Sequence, residues 1–420
     1  MKKVIILLIA MLAVTGMVFA QAATETAPAE ARPEVVGIKI WYSISGANGE
    51  FFKSQVEAFL AEHPEIKAEE ITYSGSYADS ATKISAARLA GEAPDMIITS
   101  ASQLYPGEDG NFRMEELVKD SGLNYADFQE GILEYAKYNG RLAALPFAIS
   151  TPIVYYNKDL VKKAGLDLVA NPPKTWDEFV EVCKKVMAAN EGVSGFDASD
   201  SVWLFKSMLY QNGNPVVEQK GETVTPVFDN ESGIEVANYW KYLVDQGVMA
   251  AQQHNTAENR FQAGTLAFVS ATSNRLAKWA GNLGFELGAI EMPYFKTPSV
   301  ALGGSTVTIL TSDKWKEDAC WQLIKYVLNT ENQTAFSLAS GYLPIRKSSL
   351  ENADVKAYIA DSELYAVATK QLSYAWAYTH FGAMGSMDNF FWYALDDIES
   401  GKATPADAMK KAVKETIAEI

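Results

Sequence analysis

The chain has 420 residues, of which 48% are hydrophobic, 11% aromatic and 21% charged, a globular composition. Its formal net charge of −16 argues against nucleic acid or an anionic bilayer surface as a partner. The length exceeds what one core ordinarily serves and suits two lobes.

Lys2 and Lys3 precede an apolar stretch over residues 4–14, and Val18 and Ala20 suit a cleavage point after Ala20. This pattern predicts a secretory signal peptide over residues 1–20, and therefore a periplasmic protein. No Cys stands beside the cleavage point, so no lipid anchor is expected. Residues 21–34, rich in Ala, Thr, Glu and Pro, read as a flexible leader. No later stretch is apolar and long enough for a membrane helix.

Alternation of Val36, Ile38, Ile40 and Tyr42 predicts a first strand over residues 35–44. Phe51, Val56, Phe59 and Leu60 predict a helix over 50–61, stopped before Pro64. A short strand over 70–73, a helix over 78–90 ending at Gly91, and a continuous apolar strand over 94–99 follow. Strand, helix, strand, helix, strand opens an α/β lobe, and the unbroken apolar third strand suits a position covered on both faces. Asn139-Gly140 signals a hairpin. Residues 144–156, extended and punctuated by Pro146 and Pro152, suit a passage between lobes. Thr175 and Glu178 form a capping box ahead of a helix. A strand over 266–269, a strand pair over 284–292 and an apolar run over 300–310 containing Gly303-Gly304 come next, and the remainder is mostly helical. Glycines inside a strand mark close approach of backbone or ligand. Cys183 and Cys320 each lie within an amphipathic helix; an exported chain could join them, and two buried unpaired thiols is the favoured reading.

Catalytic patterns are missing. The three histidines, His63, His254 and His380, have no metal-binding spacing, and neither a nucleophile elbow nor a phosphate-binding glycine loop occurs. No catalytic residue, metal or cofactor is therefore expected. Polar-aromatic loops recur instead: Gly75-Ser76-Tyr77, Ser150-Thr151, the turn before Trp203, residues 270–274, Gly303-Gly304-Ser305 and Gly341-Tyr342. Aromatic faces against C–H surfaces, with hydroxyls and amides at the rim, suit sugars and polyols.

Leu145-Pro146-Phe147, then Ser150-Thr151-Pro152-Ile153-Val154-Tyr155-Tyr156-Asn157-Lys158-Asp159, resembles the crossover of family 1 extracellular solute-binding proteins. Lys163-Ala164-Gly165-Leu166, Pro172-Pro173-Lys174-Thr175-Trp176, Leu302-Gly303-Gly304-Ser305 and Gly341-Tyr342-Leu343-Pro344-Ile345 fit the glycerol-3-phosphate-binding branch of that family. Phe390-Phe391-Trp392-Tyr393-Ala394 is similar to its maltose-binding branch. The resemblance implies an α/β, two-lobed periplasmic-binding-protein fold of type II character with the ligand in the interlobe cleft. By that pattern residues 35–147 and 286–340 form lobe 1, and residues 148–285 and 341–420 form lobe 2.

It also implies the substrate-binding component of an ABC importer, a monomer that delivers a carbohydrate, polyol or glycerol-3-phosphate-like solute to the membrane permease subunits. The alternative is an exported glycosidase using the same cleft. Tyr77, Ser150, Ser273, Gly304 and Tyr342 match ligand-contacting positions of the resembled branch, and Trp203 matches a pocket tryptophan to within one residue. Two positions depart from the pattern. Ala101, flanked by Ser100 and Ser102, stands where a pocket glutamate is expected, and His380 stands where an arginine faces phosphate. An imidazole cannot reproduce the bidentate fork of a guanidinium, so the site fits a neutral sugar or a weaker phosphate site.

Overall fold

The structure, a computed structural model, describes residues 31–103, 111–119, 122–221 and 223–420. The expected signal peptide and residues 21–30 of the expected leader lie outside the described residues. No helix among the described residues is long and apolar enough to cross a membrane.

Two sheets organise the chain. The first runs in the order Ile66–Tyr73, Val36–Tyr42, Met96–Ser100, Gly303–Ile309, Leu145–Ser150. Its first three strands are parallel, and Gly303–Ile309 enters antiparallel to both neighbours. Met96–Ser100, read from the sequence as doubly covered, is the central strand and is buried throughout. Val36–Tyr42 buries alternate residues, and Ile38 and Ile40 have no solvent exposure. Each such fully buried side chain contributes about 2 kcal/mol of hydrophobic stabilisation. The second sheet runs in the order Leu287–Ile290, Pro152–Asn157, Leu266–Thr272, Ser194–Ala198.

Local signals in the sequence are realised closely. Asn139 and Gly140 both take positive φ, 47° and 77°, and turn the antiparallel pair Lys137–Tyr138 and Arg141–Leu142. Thr175 Oγ1 accepts from Glu178 N at 3.2 Å while Glu178 Oε2 accepts from Thr175 N at 3.0 Å, completing the capping box of the helix Trp176–Ala189. A second box, Ser76 with Asp79, starts the helix Tyr77–Ala90, and Gly91 ends that helix in the left-handed region.

The chain passes between the sheets with Thr151 alone separating Leu145–Ser150 from Pro152–Asn157. Sheet membership and packing depart from the expected lobe limits in two places. Leu287–Ile290, expected in lobe 1, instead pairs antiparallel with Pro152–Asn157. The reason is steric as well as bonding: Gly288 leaves room for the Tyr156 ring, which a Cβ would meet at 2.2 Å. The return to the first sheet thus follows residue 290. Residues 341–346, expected in lobe 2, pack largely with the first. Tyr342 and Ile345 join its core, and buried Arg346 donates to Asp127 Oδ2 at 2.8 Å. Farther on, the helices Met384–Glu399 and Pro405–Glu419 pack with Glu231–Asp245 over the second sheet.

Beneath that helical layer lies a buried charge cluster. His254 Nδ1 is 2.5 Å from Asp197 Oδ1 and its Nε2 is 2.7 Å from Glu399 Oε1. Arg260 pairs with the other oxygen of Asp197, and Trp240 Nε1 donates to Glu399 at 2.7 Å. Burial by itself lowers the His254 pKa, but the hydrogen bonds and charges of Asp197 and Glu399 outweigh it and raise the imidazole to about 9. The folded pKa therefore exceeds the unfolded value of about 6.5. The resulting stabilisation is fully present below pH 6.5 and is lost as pH rises through 9.

Two predictions follow from this packing. Calorimetry should show the melting temperature falling between pH 7 and 9.5 more steeply in the wild type than in His254→Gln. Equal slopes would refute the ion-paired state of His254. Cys183 and Cys320 are fully buried, unpaired and in separate cores, with burial pushing both thiols up. Both should react with a thiol reagent in denaturant and neither in the native protein; recovery of a disulfide would contradict the fold.

Candidate functional site

The carboxyl ends of the parallel strands in both sheets open onto one cleft of about 720 Å³. Ser43 follows Val36–Tyr42, Ser100 ends Met96–Ser100, Asp200 follows Ser194–Ala198, and Asn274 follows Leu266–Thr272. Open α/β sheets place ligands there because loops diverge beyond the strand ends and leave a crevice.

The first lobe supplies a wall of phenols, Tyr135 and Tyr342 buried and Tyr77 partly so. Tyr77, the first residue of its helix, shares a hydrogen bond of 2.8 Å with Ser305 Oγ. Tyr135 donates to the Gly304 carbonyl at 3.3 Å. The Tyr342 ring stacks on Phe336, 5.8 Å between centroids and 12° between planes. Burial raises the pKa of all three, so each stays an uncharged phenol able to donate and accept. Tyr73 stands more open, with 45% of its surface exposed.

The second lobe supplies charge and indole. Asp200 Oδ1 caps its helix by accepting from Trp203 N at 2.9 Å. Trp203 and Lys206, three residues apart, share the cleft face of the helix Ser201–Gln211. Lys206 is almost wholly buried, pairs with Asp388, and lies 4.6 Å from the centre of the Tyr378 ring. Arg275 Nε donates to both oxygens of Glu258 at 2.9 Å. Asp388 and Trp392 occupy one face of the helix Met384–Glu399, and Trp392 is 42% exposed. Enclosure by the cleft walls, then Asp388, raise the carboxyl of Asp200. Burial, then the Lys206 ammonium, push the His380 imidazole down to about 3, against a small opposing pull from the Tyr135 main chain. The Tyr135 ring meets His380 edge-on at 5.1 Å.

Of the residues singled out from the sequence, Tyr77, Ser150, Trp203, Gly304, Tyr342 and His380 all line this cleft. Ser273 does not. Its N donates to Thr151 O at 2.9 Å and its Oγ accepts from Thr151 N at 3.4 Å, so it turns under the passage between sheets while Thr272 and Asn274 face the cleft. Gly304 is required by the backbone: φ is +116° and a Cβ would lie 1.9 Å from the Ala148 carbonyl oxygen. A Cβ on Gly303 would meet the Trp203 ring at 2.6 Å, so this glycine lets the indole of the second lobe pass close to the strand of the first. Ser100 and Ser102 face the cleft and share a 2.9 Å hydrogen bond. Sequence reasoning missed Tyr135 and both ion pairs; Asn274 lay in the polar loop 270–274 that it did mark. The spacing of Asp200, Trp203 and Lys206 on one helical face was a usable signal; Asp388 and Glu258 carried none.

The chain matches the family model described as bacterial extracellular solute-binding protein over residues 54–366. It is 26% identical over 408 residues to the sn-glycerol-3-phosphate-binding periplasmic protein UgpB of Pectobacterium atrosepticum, covering 90% of this chain and 89% of that one. Its fold is similar to that of UgpB from Mycobacterium tuberculosis in complex with glycerophosphocholine, with a TM-score of 0.77 and 24% identity over 91% of this chain and 98% of that one. It is also similar to an ABC transporter solute-binding protein from Thermotoga lettingae bound with α-D-tagatose, with a TM-score of 0.73 and 20% identity over 90% and 98%. These likenesses give no support to a glycosidase. The two-lobed α/β architecture, the cleft at the strand ends and the matched span together show that the chain belongs to the bacterial extracellular solute-binding protein family.

Proposed function

We propose that this protein is exported to the periplasm, captures a small polar, hydroxyl-rich solute between its lobes as a monomer, and delivers it to the permease subunits of an ABC importer. The observation that carries this reading is the composition of the cleft wall. Open aromatic faces, Trp392 from the second lobe and Tyr73 from the first, stand beside hydroxyls contributed by both lobes and the carboxylates of Asp200, Glu258 and Asp388 contributed by the second. Rings pack on the C–H faces of a sugar or polyol, and the oxygens bond its rim.

Delivery then rests on closure. Thr151 is the short passage on one strand, and Gly303 begins another strand where the Trp203 indole reaches it. A solute that touches both walls stabilises the closed arrangement by its differential affinity for that arrangement; one that touches a single wall leaves the equilibrium unchanged.

Tryptophan fluorescence titration with mono- and disaccharides tests the reading, and a flat response across the panel would count decisively against it. Trp392→Ala should weaken binding by about tenfold while the apo melting temperature changes little, because Trp392 is partly exposed. Tyr342→Ala should weaken binding and also lower the melting temperature, since that ring is stacked within the first core. Unchanged binding by both variants would move the solute away from this cleft.

A further inference from the structure

Three side chains on the cleft hold buried polar atoms that lack a well-formed hydrogen bond among the described residues: Trp203 Nε1, Asn274 Oδ1 and both ring nitrogens of His380, whose ring has only the weak pull of the Tyr135 main chain. His380 is only 2% exposed. Buried polar groups left in this condition are unfavourable, and native interiors hold few of them. A ligand in the cleft is therefore expected to answer them. Their types define what it must offer. Indole N–H can only donate, an amide oxygen can only accept, and a neutral imidazole does one of each. The set asks for both acceptors and donors from the same small molecule.

We propose that His380, Asn274 and Trp203 together select a neutral hydroxylated solute over its phosphorylated counterpart. This inference rests on the solute-capture reading above and specifies the solute class. A hydroxyl supplies a donor and an acceptor at once. The phosphoryl group of such a counterpart supplies acceptors alone, so wherever it replaces a hydroxyl against Asn274 Oδ1 or the accepting nitrogen of His380 that atom is left unanswered. Each cation on the wall that would attract a phosphate already faces a carboxylate. Lys206 is paired with Asp388, and Arg275 is paired through Nε with both oxygens of Glu258 at 2.9 Å. Asp200 adds a further carboxylate to the same wall. An incoming dianion must displace a carboxylate from a cation or lie beside one, and either is unfavourable in a partly desolvated cleft.

His380 does not make up the missing positive charge. The groups near its ring are the Lys206 ammonium from the helix Ser201–Gln211, the Tyr135 ring at the end of Glu130–Glu134, and Tyr378 two residues before it. Asp388, across the cleft wall on Met384–Glu399, has Lys206 as its own partner. Burial and Lys206 hold the imidazole neutral well below any ordinary working pH.

Calorimetric titration of the mature protein should compare glucose with glucose 6-phosphate, glycerol with sn-glycerol 3-phosphate, and maltose alone. The neutral member of whichever pair binds is expected to bind at least about tenfold more tightly, with an affinity that is flat between pH 5 and 8. His380→Leu should lower that affinity by about a hundredfold and leave the phosphorylated probe nearly unchanged. His380→Gln, which keeps one donor and one acceptor group, should stay within about tenfold of wild type. Should His380→Leu fail to fold by its apo melting curve, Asn274→Leu and His380→Gln give the same comparison. Tighter binding of a phosphorylated member, or full affinity in His380→Leu or Asn274→Leu, overturns the selection while leaving solute capture standing. No heat with any probe, and no small molecule retained in native mass spectrometry, sinks the capture reading and this one with it.

Discussion

Ser273 N and Thr151 O are 2.9 Å apart, and the geometry of the cleft follows from that short bond. Thr151 is the single residue between a strand of the first sheet and a strand of the second, so the two sheets share almost no slack. The end of Leu266–Thr272 is anchored to this point through Ser273, and Tyr155 donates to the carbonyls of Thr272 and Ser273 at 3.0 Å. With the passage held, the strand ends of both sheets face a common space. Thr272 and Asn274, on either side of the anchoring serine, present their side chains to it. The passage between the sheets and the cleft wall are thus made from adjacent residues.

A second constraint is electrostatic. The chain is strongly acidic, yet its cleft holds two cations, each paired by a carboxylate on another element: Lys206 by Asp388, Arg275 by Glu258. Lys206 is so deeply buried that an unpaired ammonium there would be heavily penalised. Asp388 and the face of Tyr378 make its burial tolerable, and the same ammonium helps to keep His380 uncharged. Asp200 apart, the cleft consequently presents oriented dipoles, hydroxyls and paired charges.

The glycines Gly303 and Gly304 couple the two constraints. Gly304 needs its positive φ to let Leu145–Ser150 approach, and Gly303 lets the Trp203 indole reach the strand. Any side chain at either position would force the Ala148 carbonyl or the indole to move. The packing at this point is already tight, and tightly packed contacts of this kind favour discrete arrangements over a continuum.

The sequence by itself determined what depends on near neighbours. Apolar alternation placed Val36–Tyr42, the unbroken apolar run placed Met96–Ser100 at the centre of its sheet, and Asn139-Gly140 and Thr175 with Glu178 set a turn and a helix start. Each rests on contacts within a few residues, which periodicity and capping chemistry encode directly. Its polar-aromatic loops and the family resemblance, the latter alone for His380, together marked six residues of the cleft. Tertiary structure alone decided the rest. Leu287–Ile290 could belong to either sheet until the Tyr156 ring and Gly288 met. Ser273 and Asn274 differ by one position, yet one turns to the passage between the sheets and the other to the cleft, a choice made by the backbone of Thr151. Asp388 finds Lys206 across 182 residues of sequence. In an acidic chain every cation has many prospective partners, and only the folded path of the backbone selects one.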